Sequence, residues 1–218
     1  MSKNPSNIEK LINLTCPKSG FKFDENSMLT LCMENFEIIR KEFESDELIY
    51  SEVKEIVEKD NYSKEDYKEI IRVIAAKNHT RTPANVCDEL AGLAVKSNLL
   101  DGIKQGRTEI VDELINGLKT RKERSLTSKV CRYLETWKAE NKKFTINDTI
   151  LRAVLPYYMK QYCPTNCHIP SDVSFKEYLG YCQDLLANCD IENLHELDYL
   201  LWYFYSKDSI RFEIIKHL

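Results

Sequence analysis

Helix-start signals, each followed by apolar residues three and four positions apart, recur along the chain and constrain its fold most. The segments Ser63-Lys64-Glu65-Asp66 and Ser174-Phe175-Lys176-Glu177 have the spacing of capping boxes, which open helices. No run alternates between apolar and polar residues with period two, and six glycines and six prolines are few for an all-β fold. The chain is therefore predicted to be all-α.

The apolar spacing predicts about eight to ten helices in a single all-α domain over residues 1–218, with an irregular lead-in at 1–25. Thr82-Pro83 predicts an N-cap with proline at the first helical position. Asp101-Gly102 and Gly106 predict a connection, because glycine is typical of turns. The predicted helices cover about 27–44, 48–58, a segment that starts at 63, 82–95, 108–118, two central segments, 174–188 and 195–205.

The central stretch, residues 125–158, has the pattern of a helix, a polar break and a second helix. Asp148, or Asn147 beside it, is predicted to cap the second helix and to place a carboxylate at its positive end. Lys129 is predicted to lie in the first turn of the preceding helix, with a cap from Ser125, Thr127 or Ser128. One amine and one carboxylate thus lie at the starts of consecutive helices, and such ends can converge on one cleft.

Charge is distributed unevenly along a chain whose formal net charge is −4. Residues 118–143, called the basic stretch below, contain nine Lys or Arg and three acids, a local charge of +6. The overall charge does not indicate nucleic-acid binding, whereas this stretch provides the cations that such binding needs.

The first ten residues contain no apolar core of a signal peptide, and no run reaches the length of a membrane span. We therefore expect a cytoplasmic protein with no membrane partner. In that compartment the eight cysteines are expected to be reduced thiols, metal ligands or core residues. Cys32, Cys87 and Cys131 lie in apolar-periodic segments and are predicted to be core residues.

Ser128-Lys129-Val130 followed by Ile146-Asn147-Asp148 resembles the active-site segment of the helix-hairpin-helix DNA glycosylases, nearest to their lysine-bearing 8-oxoguanine glycosylase branch. In that family a lysine opens a helix, and an aspartate about one helix and one loop later caps the next. Here the two residues are nineteen positions apart, 148 minus 129. The resemblance covers roughly residues 110–205, most clearly 125–155. Leu197-Asp198 and Leu201-Trp202 add a looser likeness to bacterial proteins with this core.

The resemblance implies a DNA N-glycosylase with lyase activity that acts on damaged DNA without a metal or another cofactor. Such an enzyme extrudes the target nucleotide from the base stack. Lys129 would attack the anomeric carbon of the sugar and form a Schiff base. Asp148 would stabilise the positive charge that develops on the sugar and assist proton movement.

The chain departs from the family at the hairpin, where residues 121–128 contain no glycine. A glycine-rich hairpin lets backbone amides approach a DNA phosphate closely, so side chains and the helix N-terminus would have to replace it here. The predicted DNA-binding residues are Arg121, Lys122, Arg124, Ser128, Arg132, Lys142 and Lys143.

Two alternatives belong to other functional classes. The first is a non-catalytic helical adaptor that binds nucleic acid or protein through the basic stretch. The second is a zinc-binding protein, because cysteine and histidine are the ligands that zinc prefers. Its ligands would come from Cys163, Cys167, His168, Cys182, Cys189 and His195. The lesion and the oligomeric state are not predicted.

Overall fold

A computed structural model describes residues 45–139, 141–163, 169–170, 172–189 and 191–206. Within these ranges the backbone forms nine α-helices and no strand, which confirms the all-α prediction. The lead-in at 1–25 and the predicted helix at 27–44 lie outside the described residues. The helices are α1 Ser45–Val57, α2 Lys64–Lys77, α3 Ala84–Lys96, α4 Leu99–Lys104, α5 Ile110–Gly117, α6 Arg124–Lys138, α7 Thr149–Tyr162, α8 Phe175–Leu186 and α9 Leu194–Ser206.

Both predicted capping boxes are present. The Ser63 side chain accepts a hydrogen bond from the Asp66 amide, and the Asp66 carboxylate accepts one from the Ser63 amide at 2.8 Å. At α8, the Glu177 amide donates to Ser174 Oγ at 3.1 Å, and the Ser174 amide donates to the Glu177 carboxylate at 3.0 Å. These bonds join residues three positions apart, so local sequence was enough to predict them.

Two local predictions were wrong. Pro83 is the N-cap of α3 rather than its first helical residue, and no side chain caps this helix. The predicted connection at Asp101-Gly102 is instead the short helix α4, whose apolar residues are buried. Gly102 has a steric role in this helix, because a Cβ at this position would lie 2.6 Å from Ile110 Cδ1. Gly106 does adopt a left-handed conformation, with φ at +67°.

The contacts divide the chain into two compact units. Among the described residues, the amino-terminal unit contains 45–139 and 141–147 with the start of α8 at 174–179, and the carboxy-terminal unit contains 148–163, 169–170, 172–173, 180–189 and 191–206. The prediction of a single domain stays a prediction. No helix in the described ranges is long and apolar enough to cross a membrane.

Helix α6 is the central helix of the amino-terminal unit. It packs against α1, α2, α4 and α5, and its ten consecutive residues from Leu126 to Glu135 are buried. Each fully buried aliphatic side chain stabilises such a core by about 1.5–3 kcal/mol. This packing surrounds the buried side chains of α6, including Lys129. In the carboxy-terminal unit, α7 packs against α9.

Candidate functional site

Lys129 lies in the second turn of α6, not in the first as predicted. The helix begins at Arg124, because the Thr127 amide donates to the Glu123 carbonyl and closes the first turn. The three predicted capping residues are therefore inside the helix, and the N-cap is Glu123, without a side-chain capping bond. Lys129 Nζ donates to Ser125 Oγ, one turn earlier, at 3.2 Å.

The side chain of Lys129 is inside the protein, with only 3% of the residue exposed. Its helical neighbours Leu126 and Val130 are also buried. Lysine is rarely fully buried, because removing an ammonium group from water costs free energy. A buried amine is also the arrangement in which lysine acts as a nucleophile toward carbonyl-like carbon.

Asp148 is the N-cap of α7, as predicted. Its Oδ1 accepts hydrogen bonds from the Ile150 amide at 3.0 Å and the Leu151 amide at 2.9 Å. The residue is 5% exposed and has extended backbone angles. These two bonds fix the carboxylate at the positive end of the helix, where a negative charge is favoured. Asn147 is buried and is not the cap.

Lys129 belongs to the amino-terminal unit and Asp148 to the carboxy-terminal unit. Each residue is buried within its own unit. The expectation that their side chains face one cleft stays a prediction.

Ser128 is fully buried and has protein partners in place of the predicted phosphate. Its hydroxyl donates to the Ser125 carbonyl at 3.1 Å and accepts from the Asn147 amide at 2.9 Å. Arg132, one turn further along α6, is also buried and donates to Thr136 Oγ1. These burials do not support the predicted contacts with DNA, because phosphates bind cations and hydroxyls on the surface.

A buried carboxylate that the sequence did not indicate holds the segment after α6. Glu135 Oε1 accepts from the Lys143 amide at 2.6 Å, and Oε2 accepts from the Phe144 amide at 3.0 Å. Glu135 and Ser128 are seven positions apart, so they share one face of α6 and are separated by about 10 Å. Residues 143–147 therefore run antiparallel to α6, bonded at both ends. Residues one turn away on the same face of α6 include Arg132 and Lys138, so no apolar period in the sequence singles out Glu135.

The basic stretch does not form a continuous cationic surface. Lys129 and Arg132 are buried, and Lys138 donates to the carbonyls of Val57 and Lys59 at 2.8 and 3.0 Å. Among the predicted DNA-binding residues, Arg124 is half-buried, while the exposed cations are Arg121, Lys122, Lys142 and Lys143. The local charge of +6 thus overstates what a polyanion would meet.

The connection between α5 and α6, residues 118–123, is called the α5–α6 loop. Glu89 of α3 accepts from two consecutive amides of this loop, those of Lys119 at 2.6 Å and Thr120 at 3.3 Å. The bond from the Lys119 amide holds the pKa of Glu89 below its usual value. Arg121 Nε lies 2.6 Å from the Glu123 carboxylate, and burial raises the pKa of Glu123.

Residues with the ligand types of a zinc site do not form a cluster in the described ranges, where no group of three or more His, Cys, Asp or Glu could hold a metal. Cys163 Sγ instead lies 3.7 Å from the Asp184 carbonyl. Cys167 and His168 lie outside the described residues, so the zinc alternative stays a prediction. Cys87 and Cys131 are core residues, as predicted, and burial raises the pKa of both thiols. Cys32 lies outside the described residues.

Trp137 packs against two other aromatic rings. Its ring is half-buried and lies 5.5 Å from that of Tyr133 and 6.0 Å from that of Tyr50, between ring centroids. Such aromatic pairs stabilise a fold beyond the area that they bury.

Comparison with known proteins gives no match to this chain among family models, curated proteins or solved structures. The assignment of a function therefore rests on the residues and on the geometry above.

Proposed function

We propose that the protein is a DNA base-excision glycosylase with lyase activity, in which the Lys129 amine is the nucleophile. The observation that carries the proposal is a lysine buried in the central helix of its unit, at 3% exposure. Lysine is seldom buried unless it is paired, and a buried amine is also a position from which lysine can act as a covalent nucleophile.

The chemistry follows from an amine that meets the sugar of an extruded nucleotide. The lone pair of Nζ attacks the anomeric carbon, and the glycosidic bond breaks with its electron pair on the departing base. Opening of the sugar ring then leaves a Schiff base between Nζ and that carbon, with a proton transferred from nitrogen to the ring oxygen. Since Lys129 is buried, the sugar reaches it only after base flipping and movement of neighbouring side chains.

The proposal gives Asp148 an electrostatic role in the same reaction. Positive charge develops on the sugar as the base departs, and a fixed carboxylate lowers the energy of that state. Bonds from two amides hold the Asp148 carboxylate in one orientation, so little reorganisation accompanies the reaction. The carboxylate can also accept a proton during departure of the base.

Borohydride trapping tests the nucleophile, because reduction converts a Schiff base into a stable covalent protein–DNA adduct. Wild-type protein is incubated with duplexes that contain oxidised, deaminated or alkylated bases or an abasic site. We expect an adduct with at least one duplex, and none with Lys129→Gln. Lys96→Gln, which removes an exposed amine on α3, is the matched control and should trap as wild type. An adduct in Lys129→Gln would assign the chemistry to another amine.

The adaptor alternative predicts a different result from the same variants. If the protein only binds through the exposed cations Arg121, Lys122, Lys142 and Lys143, no duplex is trapped. Affinity for DNA or for a protein partner is then the same in wild type and in Lys129→Gln.

A further inference from the structure

Ser125 and Lys129 form a pair of polar side chains on one face of α6. They are four positions apart, so their side chains are neighbours along the helix. The distance of 3.2 Å between Lys129 Nζ and Ser125 Oγ is that of a hydrogen bond. Lys129 is 3% exposed, whereas Ser125 is half-buried. A molecule in solution can therefore reach the serine more easily than it can reach the amine.

A serine hydroxyl bonded to a lysine amine has the chemistry of a nucleophile and its base. A protonated amine donates to the hydroxyl, whereas a neutral amine has a lone pair that can accept the hydroxyl proton. The separation of 3.2 Å between the two atoms is within the range for such a transfer. Because the nucleophile is the more accessible member of the pair, a substrate reacts without reaching the buried amine.

The place of Ser125 in α6 also provides a means to stabilise negative charge on a substrate. The helix begins at Arg124, so the Ser125 amide lies in its first turn and has no carbonyl acceptor within the helix. The N-cap residue, Glu123, makes no side-chain capping bond. A carbonyl carbon bonded to Ser125 Oγ can therefore direct its oxygen to this amide, at the positive end of a 15-residue helix.

We propose that Ser125 is the nucleophile of a second activity, the hydrolysis of esters of short carboxylic acids, with Lys129 as its base. Lys129 Nζ accepts the hydroxyl proton as Oγ attacks the carbonyl carbon, and an electron pair of the carbonyl bond moves to its oxygen. When this pair returns, the bond to the alkoxide breaks, and the alkoxide takes the proton from Lys129. Water then attacks the acyl group in the same way, and its proton passes through Lys129 to Ser125 Oγ.

This activity goes beyond the proposed function, because Lys129 moves a proton here and forms no covalent bond with the substrate. Both residues belong to one helix of the amino-terminal unit, so the pair requires no contribution from Asp148. Short acids are specified because Ser125 is half-buried, which limits the room for a long acyl chain.

Labelling with a fluorophosphonate tests the pair, because a nucleophilic serine displaces fluoride and keeps the phosphonyl group. The modified residue is located by peptide mass spectrometry. We expect Ser125 to be labelled in wild type and the rate to fall by about 100-fold or more in Lys129→Met and Lys129→Gln, the contribution of a general base. Ser51→Ala and Lys96→Gln, which each remove an exposed group from another helix, are the matched controls and should be labelled as wild type.

Acetylation by p-nitrophenyl acetate is a second measurement that needs no variant and separates the two nucleophiles. An acetyl ester on Ser125 is cleaved by hydroxylamine at neutral pH, whereas an acetyl amide on Lys129 is stable to it. We expect a burst of p-nitrophenol and an acetyl group on Ser125 that hydroxylamine removes. Thermal unfolding verifies that each labelled protein is folded.

The inference is overturned if folded wild type carries neither a phosphonyl nor an acetyl group on Ser125. Labelling of folded Lys129→Met at the wild-type rate overturns it as well, because the amine is then not the base. An acetyl group on Lys129 alone also overturns it and makes the amine the nucleophile. Borohydride trapping with DNA tests the proposed function separately, since it detects the Lys129 amine rather than the Ser125 hydroxyl.

Discussion

At the scale of single residues, the sequence indicated which side chains to examine but not what surrounds them. The pattern of residues 125–158 predicts Lys129 and Asp148 as the site, and the N-cap at Asp148 is predictable because capping depends on residues two and three positions away. The burial of Lys129, Ser128 and Arg132 depends on helices distant in sequence, so local sequence patterns could not predict that burial. Glu135 was missed for the same reason, since its partners lie in the next segment.

A residue retained for chemistry should be replaceable without loss of stability. Lys129→Met keeps the length and most of the volume of the side chain, and it removes the cost of burying an ammonium group. We expect its unfolding free energy in urea at pH 7 to stay within about 2 kcal/mol of the wild-type value, because the lost bond to Ser125 Oγ offsets that gain, while borohydride trapping is lost. A loss of more than about 2 kcal/mol, a size typical of broken buried polar networks, would show that the amine holds the fold together.

Glu135 should behave in the opposite way, because its carboxylate satisfies two backbone amides. Glu135→Ala leaves both amides without this acceptor and should lower the unfolding free energy by about 3 kcal/mol or more. Glu135→Gln keeps one acceptor oxygen and should lose about half as much. Urea denaturation measures both variants, and a loss below about 0.5 kcal/mol in Glu135→Ala would show that the two bonds from Glu135 add little to stability.

At the scale of elements, local capping chemistry predicts the starts of α2 and α8, whereas caps from residues distant in sequence cannot be predicted from it. The amides of Phe175 and Lys176 at the start of α8 donate to Asp112, more than sixty positions earlier. Glu89 likewise binds the α5–α6 loop thirty positions later. Spacing within one helix carries no information about such partners. The sequence predicts a connection in place of helix α4, because a glycine such as Gly102 can serve either in a turn or at a close contact inside a helix.

Two glycines inside helices allow a matched test of that distinction. Alanine normally stabilises a helix interior by about 1 kcal/mol relative to glycine. Gly180→Ala in α8 should show this gain, because nothing lies within 4 Å of the added Cβ. Gly102→Ala in α4 should instead cost about 1–3 kcal/mol, since its Cβ meets the buried Ile110 side chain at 2.6 Å. Thermal or urea unfolding measures both, and a gain in Gly102→Ala would show that Ile110 has room to move.

At the scale of the whole molecule, surface carboxylates with lowered pKa values make the fold sensitive to acid. Hydrogen bonds from Lys64 and Lys68 lower the pKa of Asp88 to about 2, and bonds to the Lys119 amide and to Ser174 lower those of Glu89 and Glu177. A lowered pKa contributes stability above the unfolded value, and this contribution is lost as pH falls through the folded value. Burial raises the pKa of Glu123, so the contribution of this carboxyl to stability is instead lost as pH rises through its folded pKa.

The unfolding free energy is therefore expected to change little from pH 7 to about 5 and to fall between about pH 4 and 2. Asp88→Asn should reduce the size of this fall, because the substituted side chain no longer titrates. Urea denaturation across this pH range measures the fall in unfolding free energy for both proteins. A fall of the same size in Asp88→Asn and wild type would mean that the two lysine bonds are too weak in solution to matter.

The exposed charges of the molecule determine how the proposed DNA binding should respond to salt. The predicted surface residues Lys122, Lys142 and Lys143 are exposed, whereas Ser128 and Arg132 are buried and Arg121 is paired with Glu123. Each phosphate neutralised contributes about −0.9 to the slope of log affinity against log salt. Replacing all three exposed lysines by glutamine should therefore reduce the magnitude of the slope by about 2 to 3. The control Lys54→Gln, Lys96→Gln and Lys176→Gln removes equal charge from α1, α3 and α8 and should leave the slope unchanged. Equal slopes for both triple variants would place the DNA surface outside the basic stretch, and the base-excision proposal would then need another route for the duplex to reach Lys129.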